Sequence, residues 1–347
     1  MRASSRHPAT RPRLRFAVII ANALLVVLVV GVILGLKEER RVFDLLQRIN
    51  LSWIAVAIGL QVGTYFCTGG AWQVILGHFH KRVTVGAVAK LSLEKLFLDQ
   101  ILPTFGLGGS LAMARSLLTR GVRENEAAAT ILIDAVSYFG AYLVLFLGAV
   151  GLLWGERLFS PVIRYLALSF SAILLCAIGV VVFLIARANS GLMPAWTRRF
   201  GFTRELAEAL KEAPAKMMKA RGAWAWAFLL ETGVFALDIA TFWVIFRALG
   251  APITANEALV SFMLAAAVST LSIIPGGLGF FEGGAIATLN VFGITVGTAA
   301  AGVVLLRGFT YWLPMLPGYL IFRAEMVTDV PDERLRDAVA KAPNDVG

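Results

Sequence analysis

Apolar runs of membrane-spanning length alternate with short polar, mostly basic interruptions along almost the whole chain. Six stretches are long enough to cross about 30 Å of hydrocarbon: Phe16–Leu36, Ser52–Leu76, Ala127–Leu153, Val162–Ala186, Ala223–Phe246 and Thr298–Phe322. Two further apolar segments, Val85–Leu118 and Ala255–Phe292, are interrupted near their middles by Pro103 and Pro275 with their neighbouring glycines. Proline removes a backbone donor and ends the preceding helix, so each segment predicts a helix–break–helix hairpin, re-entrant or crossing twice. The predicted fold class is an all-α, polytopic integral membrane protein with about six full spans and two broken hairpins. Residues 1–15 form a basic terminus and 323–347 a charged tail without a core. The one substantial polar loop, 187–222, puts Leu206, Leu210 and Met217 or Met218 near one helical face. It reads either as an amphipathic helix on the membrane surface or as a solvated linker.

The chain also repeats itself at an offset of 172 residues. Ile101-Leu102-Pro103 recurs as Ile273-Ile274-Pro275, Gly121-Val122 as Gly293-Ile294, and Ala127-Ala128-Ala129 as Ala299-Ala300-Ala301. The repeat halves run from about 52 to 186 and from 223 to 322. Three spans lie between the two starting points, so the second copy enters the membrane from the opposite face. Broken apolar segments at matching places in inverted halves point to a binding site at the repeat interface.

Composition and charge sharpen this picture. Hydrophobic residues make up 58% of 347 and charged residues only 16%, which excludes an ordinary soluble globular protein. The net charge of +10 does not form a nucleic-acid patch, because the basic residues flank the apolar spans. With the N-terminus inside, the cytoplasmic segments hold 24 Lys and Arg and the outer ones 7, with Arg307 inside a span completing the 32. That asymmetry predicts both termini in the cytoplasm. Phe16–Leu36 is too long for a signal-peptide core and lacks a small-residue cleavage site, so it reads as a retained first helix. Cys67 and Cys176 both lie in apolar spans, and no disulfide framework follows.

Candidate chemistry concentrates at the breaks. In Pro275-Gly276-Gly277-Leu278-Gly279-Phe280-Phe281-Glu282, the glycines permit positive φ and close backbone approach. A helix restarting near Gly279 would aim free N–H groups and its positive dipole end at the break, an arrangement suited to phosphate or carboxylate. Pro103, Gly106 and Ser110 would form the matching half-site. The competing explanation is close helix packing through small residues. Intramembrane ionisable groups are costly and functional suspects by default. Glu282 follows the glycine turn, Arg307 can grip a phosphate bidentately, and Asp134 lies one residue from the repeat-mate position of Arg307. Candidate partners for Arg307 are Glu282, Asp134 or a lipid phosphate. Glu231 and Asp238 share a face of the fifth span, and Glu94 and Lys95 are placed to snorkel to the cytoplasm, with Asp99 on the same arm. His78 and His80 lack further ligands at metal spacing, and no phosphate-binding loop or cofactor motif is present.

Ile274-Pro275-Gly276-Gly277-Leu278-Gly279 with Glu282, and Arg307 followed by Tyr311-Trp312-Leu313-Pro314 and Gly318, resemble the transmembrane flippase region of bacterial lysylphosphatidylglycerol synthases and the related UPF0104-type membrane proteins. Leu102-Pro103 with Gly106, and Arg115 to Gly121, match more loosely, while Gly108-Gly109-Ser110 and Ile133-Asp134 depart from the family's acidic and arginine-bearing first-half motif. The resemblance implies translocation of a charged or phosphorylated lipid, glycolipid or hopanoid-type amphiphile in a bacterial inner membrane, without an aminoacyl-transfer domain. The expected partners are membrane lipids, with no nucleic acid and no cofactor, and a homo-oligomer stays open. The alternatives are a membrane-embedded transferase on a lipid-linked substrate, or an accessory subunit of a lipid or glycan pathway.

Overall fold

A computed structural model of the chain describes residues 49–78, 84–101, 109, 117–118, 121–155, 161–189, 220–272 and 274–328. The predicted first span, the candidates Pro103, Gly106 and Ser110, and most of the polar loop and of the charged tail lie outside the described residues. Within them all regular structure is helical. The helices are α1 (Leu51–His78), α2 (Val85–Ile101), α3 (Glu124–Gly155), α4 (Pro161–Asn189), α5 (Arg221–Ala248), α6 (Ala255–Thr270), α7 (Phe280–Val291), α8 (Val296–Arg307) and α9 (Leu313–Thr328). A 3-10 turn at Pro275–Gly277 separates α6 from α7, and a π-helical segment at Gly308–Trp312 joins α8 to α9. Among the described residues, five candidate spans are long and apolar enough to cross a membrane: α1, α3, the Ile163–Phe183 part of α4, α5, and Val296–Ile321 through the π segment.

Helix pairs here cannot rely on the hydrophobic effect, because lipid tails are as apolar as their side chains; close van der Waals fit replaces it. The α1–α5 seam shows how. The two helices run antiparallel: Asn50 N donates to Ala248 O at 3.1 Å at one end, and Gly222 lies against His78 at the other. Glycines let them approach, with Gly63 facing Leu237, Gly70 facing Leu230 and Gly233 facing Cys67. Behind this pair, Tyr142, Phe146, Phe170, Phe242 and Phe246 are almost fully buried and meet mostly edge to face, as in Phe146–Phe170 at 4.8 Å between centroids. Side chains such as Phe66, Leu168, Leu175 and Leu229 point outward as a lipid-facing surface would.

The second predicted hairpin forms as a helix, a glycine break and a helix. Thr254 and Glu257 start α6 with a reciprocal cap, the side chain of each accepting from the other's backbone N–H. Two details follow the 172-residue offset. Gly121 and Gly293 both adopt positive φ, +79° and +85°. Around them Gly121 N bonds Leu118 O and Val122 N bonds Leu117 O, and the same pair recurs as Gly293 to Asn290 and Ile294 to Leu289, all at 3.0–3.1 Å. The helices after these turns begin at Glu124 and Val296, again 172 residues apart.

Candidate functional site

Three glycines with positive φ, Gly276 (+67°), Gly277 (+59°) and Gly279 (+84°), shape the break between α6 and α7. At the first two, a side chain has neither the conformation nor the room: a β-carbon on Gly276 would stand 2.6 Å from the Tyr311 ring, and one on Gly277 would run into Ser269. α7 then begins at Phe280 with Gly279 as its N-cap, where the sequence places the restart. Glu282, on the first turn, bends back so that Oε2 accepts from Gly279 N at 2.6 Å. Its other oxygen accepts from Arg307 Nε at 2.7 Å.

Arg307 closes the arrangement from the end of α8. Nη2 donates to the carbonyl of Gly276 at 3.1 Å, and the guanidinium lies over the Phe281 ring at 4.3 Å and the Tyr311 ring at 5.6 Å. Among the described residues two of its five N–H donors are engaged. Glu282, Arg307, Gly276, Gly277 and Gly279 are thus brought together, beside Pro275, around one turn of broken helix. The first-turn N–H groups of α7 face the same break and carry the positive end of its dipole.

Asp134 is elsewhere, which corrects the suggested pairing with Arg307. At the 172 offset Asp134 corresponds to Leu306, a fully buried core residue. One residue is about 100° of helix rotation, so Leu306 and Arg307 face different neighbours. Asp134 instead stands 3.9 Å from Lys95 Nζ, which is also 3.5 Å from Asp99. Snorkelling is corrected as well: Glu94 is 5% exposed and the Lys95 side chain 11%, both turned into the protein. Sequence reasoning named these residues but did not place them at a site. What it missed is that Asp99 Oδ1 accepts from Gly109 N at 2.8 Å, so a carboxylate paired with a cation also holds backbone after the first proline. A second missed link is Gln100 Nε2, which donates to Thr310 O at 3.1 Å inside the π segment and ties α2 to the end of α8. No signal in either local sequence announces that bond, because its partners are 210 residues apart.

No curated protein matches the chain. The pattern of the lysylphosphatidylglycerol synthase TM region, however, matches residues 16–318, which takes in every helix described above except the C-terminal part of α9, and the chain belongs to that family.

Proposed function

We propose that this membrane protein translocates an amphiphile with a charged or phosphorylated head, which docks at the α6–α7 break while its tails stay in lipid. The observation that carries the reading is Arg307: a largely buried guanidinium whose remaining donors lie beside the free N–H groups of a restarting helix. Glu282 spends both oxygens on the turn and on Arg307, so it acts as the brace and Arg307 as the anion grip. A planar fork suits phosphate, carboxylate or sulfate oxygens in pairs. Pro103, Gly106 and Ser110 would contribute from the first half, whereas Asp134, paired with Lys95, would not.

Two finer features belong to the same reading. The halves are related as an inverted repeat, supported by the antiparallel α1–α5 pair, whose members start 170 residues apart, close to the 172 offset, and by the recurring Gly121 and Gly293 turns. Both termini lie in the cytoplasm of a bacterial inner membrane, supported by the Lys and Arg asymmetry. The chain acts as a transporter and not as an enzyme, with membrane lipids as partners. Reconstitution in liposomes with a fluorescent phospholipid in one leaflet tests this. Wild type should equilibrate the label between leaflets, and Arg307→Lys, folded and inserted, should lose most of that rate, because an ammonium cannot reproduce the fork. Turnover of a lipid-linked substrate without any movement of label would put a transferase in its place.

A further inference from the structure

A second set of charges lies away from the Glu282–Arg307 pair, where α2, α3 and α5 meet. Lys95 stands between Asp99 and Asp134, at 3.5 and 3.9 Å. Asp134 also faces Glu231 of α5, the two carboxyl groups within hydrogen-bonding reach of one another. Both acids are buried, at 3% and 2% exposure. Two carboxyl groups can share a hydrogen bond only when one carries a proton, its O–H donating to an oxygen of the other. Charge counting leads to the same place. One ammonium faces three carboxyls among the described residues, and buried like charges cannot all remain ionised at this separation. One oxygen of each, Asp134 Oδ1 and Glu231 Oε1, is buried without a hydrogen-bond donor among the described residues.

The groups around the pair extend it into a row. From α1 come the fully buried Trp72 indole, near Asp134, and the Cys67 thiol, within electrostatic range of Glu231. From α2 come Lys95 and Asp99. From α3, one turn beyond Asp134, comes Tyr138, within electrostatic range of Lys95, Asp99, Glu231 and also Asp238. Asp238 lies two turns past Glu231 on α5, accepts from Gln61 Nε2 at 2.9 Å, and has Tyr65 nearby; Gln61 also donates to Thr241 at 3.1 Å. Seven residues of helix are about 10 Å, so the row covers roughly a third of the hydrocarbon thickness. At its α2 end, Asp99 holds Gly109 N, which connects the charge state of Lys95 to the backbone beyond Pro103.

We propose that the Asp134–Glu231 pair, held by Lys95, is a proton-binding site, and that the row from Asp99 to Asp238 carries a proton part of the way across the membrane in step with lipid movement. The coupling rests on the transport reading above; the proton site does not. Each transfer breaks an O–H bond on one group as another forms on the next, with the proton taken from and returned to water and no change of oxidation state. A proton arriving on Asp134 frees Lys95 to bind Asp99 alone, tightening its hold on Gly109.

Infrared titration of the full chain in lipid nanodiscs reads the site directly. Wild type should show a protonated-carboxyl stretch that changes with pH, reduced in Glu231→Gln and in Asp134→Asn but kept in Glu282→Gln. The two isosteric variants stand in for each other should one fail to insert. An identical band in wild type and both variants overturns the proposal, as does a band that responds to sodium and not to pH. In liposomes, an imposed pH gradient should accelerate lipid movement by wild type, and Glu231→Gln should lose that response. Lipid movement indifferent to the gradient in wild type overturns the coupling. A pH-dependent band in a protein that moves no labelled lipid overturns the transport reading and leaves the proton site standing.

Discussion

At the scale of single residues, Arg307 is held by a carboxylate, a backbone carbonyl and two aromatic faces, of which the carboxylate and the rings can be removed separately. Arg307→Leu leaves the Glu282 carboxylate buried without its cation, which should cost about 3 kcal/mol. The check is the unfolding temperature in detergent, and adding Glu282→Gln to the same chain should recover part of the loss. At the glycines, two effects separate. Gly279→Ala meets open space at φ +84° and should cost only the backbone strain, about 1 kcal/mol, whereas Gly276→Ala adds the collision with Tyr311 and should cost about twice that. Equal losses would show that the Tyr311 ring yields freely. These residues were legible in the sequence because a run of glycines and a lone charge stand out against apolar surroundings. The partner of Asp134 was not, because a one-residue difference in register decides which face of a helix a side chain leaves from.

Among the elements, small residues set the distances. Gly318 of α9 sits on α2, where a β-carbon would come within 2.6 Å of Leu93 O and of Phe97 Cβ. Backbone cannot yield as a flexible side chain does, so Gly318→Leu should force α2 and α9 apart and break the Gln100–Thr310 bond between them. A cysteine pair placed at Phe97 and Tyr319, whose rings lie 5.9 Å apart, should cross-link readily in the parent and poorly in the Gly318→Leu background. The helices themselves were largely readable from apolar run lengths, and the α6–α7 break from Pro275. The last span was expected to be continuous. Its π segment was hidden because Gln100, which satisfies one of its carbonyls, comes from a helix 210 residues earlier.

For the whole molecule, the proposed topology sets the ends of α3 on opposite sides of the membrane. In a background with Cys67 and Cys176 replaced by serine, a cysteine at Trp154 should react with an impermeant maleimide in intact cells. One at Glu124 should react only after permeabilisation; the reverse pattern would invert the orientation and with it the reading of the basic segments. The proposed duplication was suggested by the sequence matches at an offset of 172, and Gly121 and Gly293 do share the same left-handed backbone. The π segment bears on how far that duplication can be followed. A π turn closes its hydrogen bonds over five residues where an α turn uses four, so it stores one additional residue. α3 begins at Glu124 and its counterpart at Val296, so the two start in register at 172, and the counterpart alone carries a π turn. If the π segment holds one inserted residue, α3 and its counterpart align at 172 up to Arg307 and at 173 past Trp312. On that count the counterpart of Gly318 is Leu145 and not Phe146, and any chimera exchanging the two segments, or any alignment run through them at constant offset, must step by one residue at Gly308–Trp312 or face every later side chain about 100° the wrong way.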